Sequence, residues 1–252
     1  MDQSRSFRLE AVVLRHADWG EADRLLSLYS RERGKVRAVA KGARRIKSRK
    51  AGHLEPFTRV VLQLAKGRDL PIVTQAEAQE TYLPLRENLL LTGYASYVVE
   101  LLDRFTYEEE SGNYSIFHLL VETLGRLAAS ADPWTVLRYY EIHLLDFLGF
   151  RPQLFECANC GAEIEAEDQF FSPAAGGILC PRCGTGLPGA WPISMDALRY
   201  LRHFQRSDYA KAQRAQPGPE VRAETETLMQ KYFTYLLERE LNSPGFLKQI
   251  RK

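Results

Sequence analysis

Four cysteines form the most specific chemical pattern in this 252-residue chain: "ECANCGAE" places Cys157 and Cys160, and "LCPRCGTG" places Cys180 and Cys183. The spacing C-x2-C-x19-C-x2-C is that of a zinc site, because two intervening residues let one tight turn aim both sulfurs at a single ion. A glycine follows each pair, Gly161 and Gly184, and lets the turn close. Four thiolates around one ion leave no open position for water, so such a metal organises structure and does not catalyse. Disulfides or a redox pair are the competing uses. A reducing compartment argues against the first, and the lack of a thioredoxin-like βαβ pattern against the second. The expectation is one structural zinc per chain, pinning a loop that has little core of its own.

The second pattern is charge. From Arg31 to Lys50 there are ten Lys or Arg and one acid, Glu32, in a chain whose formal net charge is only +2. Residues 1–81 hold 17 basic and 10 acidic side chains, while the remaining 171 residues hold 17 and 22. Most charge runs are solvated faces or disordered tails. This one is internal and interleaved with apolar residues, as in "KVRAVAKGARRIKSRKAG". Lys and Arg side chains neutralise phosphates and release counterions, independently of base sequence. The candidate DNA contacts are therefore Lys35, Arg37, Lys41, Arg44, Arg45, Lys47, Arg49 and Lys50. Trp19 and Tyr29 are candidate stacking platforms for bases, or else core residues.

No catalytic constellation accompanies these patterns. Gly34-Lys35 is followed by Val36 where a P-loop needs Ser or Thr, and "GTGLPG" follows a cysteine of the metal set and carries Pro188. H-E-x-x-H and G-x-S-x-G motifs are absent, and Glu108-Glu109-Glu110 suits a solvated turn. Two other function classes stay open at this point. One is a zinc-containing nucleic-acid-processing enzyme, and the other an interaction scaffold whose basic patch meets a membrane or an acidic protein.

The elements that must position these residues change type near residue 82. Stretches 7–15, 23–30, 34–42, 57–66 and 70–78 are short, rich in Val, Leu and aromatics, and separated by turn residues. Five such strands suggest a small closed β-barrel. In the third strand, Val36, Ala38 and Ala40 point inward and Lys35, Arg37 and Lys41 outward with Val39. Beyond residue 82 the apolar period becomes helical: Leu90, Tyr94, Val98, Leu101, Leu102 and Phe105 form one stripe. Further helices are expected at 115–130, from Asp132-Pro133 to Gly149, at 194–206 with Ser194 as cap, and at 219–241. Residues 206–220 suit a polar loop. The predicted class is α+β: an N-terminal five-stranded OB-type barrel over 1–81, then a helical domain over 82–252. The zinc module is inserted at about 154–190. No segment has the length and apolarity of a membrane span, and "MDQSRSFRLE" lacks a signal-peptide core, so a cytosolic protein is expected.

The run "EADRLLSLYSRERGKVRAVAKGARRIKSRKAGHLEPF" (21–57) resembles the N-terminal barrel of the RecO recombination-mediator family. "IHLLDFLGFRPQL", then "FEC" and the paired cysteines, resemble that family's helical domain and zinc module. The resemblance covers nearly the whole chain. It implies a DNA repair function without enzymatic turnover: binding of single- and double-stranded DNA, and annealing of complementary strands. It also implies action with RecR to help RecA replace single-stranded-DNA-binding protein. The tail of that coating protein is expected to meet the helical part. A bacterial cytoplasmic location follows, at the nucleoid when on DNA.

Overall fold

The structure, a computed structural model, describes residues 6–108, 112–129 and 132–251. Glu109 and Glu110 of the acidic turn, and the start of the chain through Arg5, lie outside them. The chain forms two compact units, Met1–Ser130 with Asn242–Lys252, and Ala131–Leu241.

In the first unit, β1 (Ser6–Trp19), β2 (Asp23–Ser30), β3 (Gly34–Ala40), β4 (Arg59–Ala65) and β5 (Ile72–Glu80) close into a barrel of order β1-β2-β3-β5-β4. All pairs are antiparallel except β3 with β5, joined in parallel at Val39 and Ile72. This is the connectivity of an oligonucleotide-binding barrel, and closure leaves no exposed edge. β1 serves two neighbours. Its first half pairs with β4, its second with β2, and a register shift between Val13 and Arg15 eases the bend. The interior is filled by alternate residues, among them Leu9, Ala11, Val13, Leu26, Leu28, Leu62 and Leu64. β3 follows its predicted alternation, with Ala38 and Ala40 in the core and Arg37 exposed.

The same unit adds α1 (Pro84–Glu87), α2 (Leu89–Phe105), α3 (Tyr114–Ala129) and α9 (Ser243–Ile250). Asn88 caps α2 by accepting from the backbone N–H groups of Leu90 and Leu91. Tyr94, Val98, Leu101 and Leu102 of the predicted stripe are buried, whereas Leu90, in the first turn, is exposed. The Glu100 carboxylate serves the start of α9. It accepts from the N–H groups of Asn242 and Ser243, both at 2.9 Å, and from the Ser243 hydroxyl at 2.6 Å. These bonds occupy donors that a helix start leaves open.

The second unit contains α4 (Pro133–Phe147), β6 (Gln169–Ser172), β7 (Gly177–Leu179), α5 (Pro181–Gly184) and β8 (Trp191–Ile193). It continues with α6 (Met195–Arg206), α7 (Tyr209–Ala212) and α8 (Pro219–Leu237). The short strands form one sheet, β7-β6-β8. Ser194 caps α6 as expected, accepting from Ala197 N–H at 3.1 Å, while Glu224 of α8 takes the Ser194 N–H and hydroxyl. The stretch 206–220 is not all loop: α7 lies within it, capped by Asp208, which accepts from Lys211 N–H at 2.8 Å. Among the described residues no helix is long and apolar enough to cross a membrane.

Candidate metal centre and nucleic-acid interface

The thiols of Cys157, Cys160, Cys180 and Cys183 converge. Their sulfurs all lie within 4.8 Å of one another, and Cys160 Sγ is 3.9 Å from Cys180 Sγ. A tetrahedral zinc with bonds of ~2.3 Å separates its sulfurs by about 3.8 Å. A disulfide would bring a pair to about 2.05 Å, and all four cysteines are free. The donor set and its spacing therefore fit a four-thiolate metal site. Burial pushes the Cys157 thiol up, but N–H groups of Cys160, Cys180 and Asn159 aimed at it bring its pKa down to about 6. Donors directed at sulfur in this way favour the thiolate at Cys157, whereas burial and the neighbouring thiols push Cys180 up to about 11.

The two halves of the site close for different reasons. Gly161 has φ +72°, a left-handed turn that a side chain would strain. Gly184 does not; there a Cβ would come within 2.5 Å of the Phe170 side chain. The expectation that both glycines serve turn closure holds for the first pair only, and at the second pair glycine is needed for close packing on β6. The module is gripped by its own unit. Arg202 Nε donates to Leu154 O at 2.7 Å, Gln205 to Pro152 O at 2.9 Å, and the Arg206 guanidinium lies 3.6 Å from the Phe155 ring centre.

The basic run lies in the other unit, where the structure divides the eight candidate cations into two groups. Lys35 is drawn inward. Its ammonium bonds Asp103 Oδ1 at 2.8 Å and the carbonyls of Asp103 and Thr106, at the C-terminal end of α2. A cation there satisfies open carbonyls and complements the helix dipole. Arg37 pairs with Glu108 at 2.5 Å, and Lys50 Nζ donates to Val73 O at 3.0 Å. Arg44 pairs with Asp18 at 3.0 Å and donates to the carbonyls of Gly20 and Glu21. Lys41, Arg45, Lys47 and Arg49 are exposed, and none makes an ion pair among the described residues.

These four project from a built loop. Gly42 N–H donates to Asp23 Oδ1 at 2.7 Å, and Arg44 N–H to Ala22 O at 2.9 Å, pinning the loop to the β1–β2 hairpin. Trp19, at the end of β1 beside that hairpin, is 50% exposed, whereas Tyr29 is 2% exposed and belongs to the core. Tyr29 is thereby removed as a stacking platform. Ile46 is fully exposed among the cations. Strand pairing brings in one more segment: Val39 meets Ile72, and Val39 N–H donates to Pro71 O, so the β4–β5 connection opens at the same end of the barrel. Lys66 and Arg68 lie exposed on it. Their spacing in sequence gave no signal, since only barrel closure places them beside residues 41–50.

Asp103 is the hub on the opposite account. Besides Lys35 it accepts from Ser27 Oγ at 3.0 Å and Arg15 Nε at 3.2 Å, joining α2 to three successive strands. Burial raises its pKa, but Lys35, then Ser27 and Arg15, hold it below the ordinary carboxylate value. A depressed folded pKa means stability that is present above the unfolded value and lost as pH falls through the folded one. Asp103→Asn should therefore destabilise the first unit by about 1–3 kcal/mol at pH 7. The gap from the parent should shrink on acidification below the carboxylate range. Chemical denaturation at several pH values checks this, and a gap independent of pH would refute it.

The family described as "Recombination protein O N terminal" matches residues 1–82, and that described as "Recombination protein O C terminal" matches residues 86–244. A DNA repair protein RecO of Roseiflexus sp. (strain RS-1) is 44% identical over 250 residues, covering 99% of this chain and 88% of that protein. The DNA repair protein RecO of Dehalococcoides mccartyi (strain ATCC BAA-2266 / KCTC 15142 / 195) is 37% identical over 240 residues, covering 95% and 94%. That of Pelotomaculum thermopropionicum (strain DSM 13744 / JCM 10971 / SI) is 37% identical over 244 residues, covering 97% and 94%.

Proposed function

Because the chain belongs to the RecO family of DNA repair proteins, we propose that it is a DNA-binding recombination mediator that holds single- and double-stranded DNA on the loop end of its barrel. One observation carries this reading: Lys41, Arg45, Lys47 and Arg49 are exposed and free of ion pairs among the described residues, beside a half-exposed Trp19. Cations in that state can neutralise phosphates without first breaking protein contacts. Arg44 holds the loop to the hairpin, Lys66 and Arg68 extend the cationic surface, and Ile46 offers apolar contact to sugars or bases. Lys35, Arg37 and Lys50 maintain the scaffold.

Two complementary strands coated on one cationic surface lose much of their mutual repulsion, so pairing accelerates without any covalent step. Annealing is the activity this supports. With RecR, the protein would help RecA replace single-stranded-DNA-binding protein, through surfaces other than the basic loop, in the bacterial cytoplasm. Residues 1–81 supply the DNA-binding barrel in this scheme, and 82–252 the helical part with its zinc module at about 154–190. One zinc per chain would be held by Cys157, Cys160, Cys180 and Cys183, where it supplies cross-linking of the module and no reaction step. A strand-annealing assay, with bare oligonucleotides and with oligonucleotides coated by single-stranded-DNA-binding protein, tests the reading. Annealing no faster than the spontaneous rate in both formats would refute it.

Trp19 gives a sharper expectation. Stacking of a base on an aromatic ring contributes about 1–3 kcal/mol. Trp19→Ala should weaken single-strand binding by roughly 5- to 150-fold, and duplex binding much less, because duplex bases are already stacked. Fluorescence titrations with both forms check this, and equal losses on both would remove the stacking role.

A further inference from the structure

The helical unit carries a second cationic concentration that the barrel reading does not use. Residues 199–214 hold Arg199, Arg202, Arg206, Lys211 and Arg214 against one acid, Asp208, although residues 82–252 as a whole are net acidic. Arg202 and Arg206 are turned onto Leu154 and Phe155. The other three border an open cavity of about 620 Å³ between α6 and the segment from α7 to Ala215, together with Asp196, Tyr200 and His203. His203 builds its wall. One ring nitrogen faces Lys211 O at 3.3 Å and the other the Ser207 hydroxyl at 3.3 Å, which ties α7 to α6.

We propose that this cavity is a second nucleic-acid site, which takes a nucleotide of a single strand with its base against Tyr200 and its phosphates on Arg199, Lys211 and Arg214. The volume suits one nucleotide, since ligand pockets run to about 300–1,000 Å³. Tyr200 is half-buried in that lining. Arg199 pairs with Asp196 at 3.3 Å and Lys211 with Asp208 at 3.4 Å, but all four side chains are more than half exposed. Exposed pairs of this kind contribute little and exchange readily for a phosphate. Arg214 has no ion pair among the described residues. Ala215 is the one aliphatic side chain in the lining, so most apolar contact there comes from the Tyr200 ring and the stems of the basic side chains, which offer a base a surface to lie on. The inference rests on the annealing reading, to which it adds a place for the second strand.

The test uses the full chain and a single-stranded oligonucleotide carrying 5-iododeoxyuridine, photo-crosslinked and mapped by mass spectrometry. Two variants are compared with the parent: Lys41, Arg45, Lys47 and Arg49 all changed to Ser, and Arg199, Lys211 and Arg214 all changed to Ser. Both sets are exposed, and circular dichroism checks that each folds. The parent should crosslink within 41–50 and at Tyr200. The Tyr200 crosslink should survive the barrel variant and vanish in the cavity variant, whose annealing rate should fall about tenfold while barrel crosslinking persists. Barrel crosslinks with none in 199–215 would overturn the second site alone; the converse pattern would overturn the barrel reading and leave the cavity standing. A poly-glutamate decapeptide that occupies the cavity while the oligonucleotide does not would also overturn it, assigning the cavity to an acidic peptide.

Discussion

Removing the proposed zinc, by chelation or by Cys157→Ser, is expected to unfold the segment around residues 154–193 and to leave the proposed DNA contacts of the barrel in place. The segment's other supports are the bonds from Arg202 and Gln205 and a small buried set, Leu154, Phe171, Ile178, Leu179 and Ile193, too few to order the cysteine loops alone. Its sheet has strands of four, three and three residues, β6, β7 and β8. Of its cysteines only Cys157 is buried. Structural zinc contributes on the order of 10–16 kcal/mol in small zinc domains at neutral pH, as much as the whole stability of an ordinary domain, about 5–15 kcal/mol. Trp191 stacks on Phe171 and Phe171 packs on Tyr232 of α8, so the loss should reach the packing of the helical unit. Tryptophan fluorescence and the thermal transition report it, alongside elemental analysis that should find about one zinc per chain. Purified protein with four free thiols, no metal and an unchanged transition after chelation would refute the zinc assignment.

What the sequence disclosed about these sites depended on how far each residue's partners lie along the chain. The cysteine pairs are local devices, and their spacing already implied the convergence of sulfurs that the structure contains. Strand alternation is equally local, which is why the inward set of β3 was legible. Lys35 shows where such reasoning ends. Alternation puts it on the outer face of β3, but the element covering that face is α2, and its partner Asp103 lies 68 residues further on. Periodicity contains no information about which later helix returns to cover a strand. Tyr29 is the same lesson inverted, an aromatic whose burial depends on what packs over β2. Lys66 and Arg68 needed barrel closure before they could join a surface.

Changing Lys41, Arg45, Lys47 and Arg49 together to Ser should remove most of the salt-sensitive DNA binding of the barrel. Each phosphate contacted on a single strand contributes a log-log slope of roughly −0.7 in affinity against salt. Losing four contacts should therefore flatten the slope by about 2.8, and between about 50 and 200 mM salt those contacts account for roughly a 50-fold change in affinity. The loss should be uniform across unrelated sequences, because phosphates carry no base information. Arg44 is left in place, since its bonds to Asp18 and to the carbonyls of Gly20 and Glu21 shape the loop itself. Folding should survive, as the four side chains are exposed and make no ion pair among the described residues. Annealing should slow with binding, because the surface that screens one strand from the other would lose its charge. Binding isotherms at four or five salt concentrations decide the matter. If a folded variant binds with the parent's slope, the run from Lys41 to Lys50 is a solvated face, and the DNA contacts lie elsewhere on the protein.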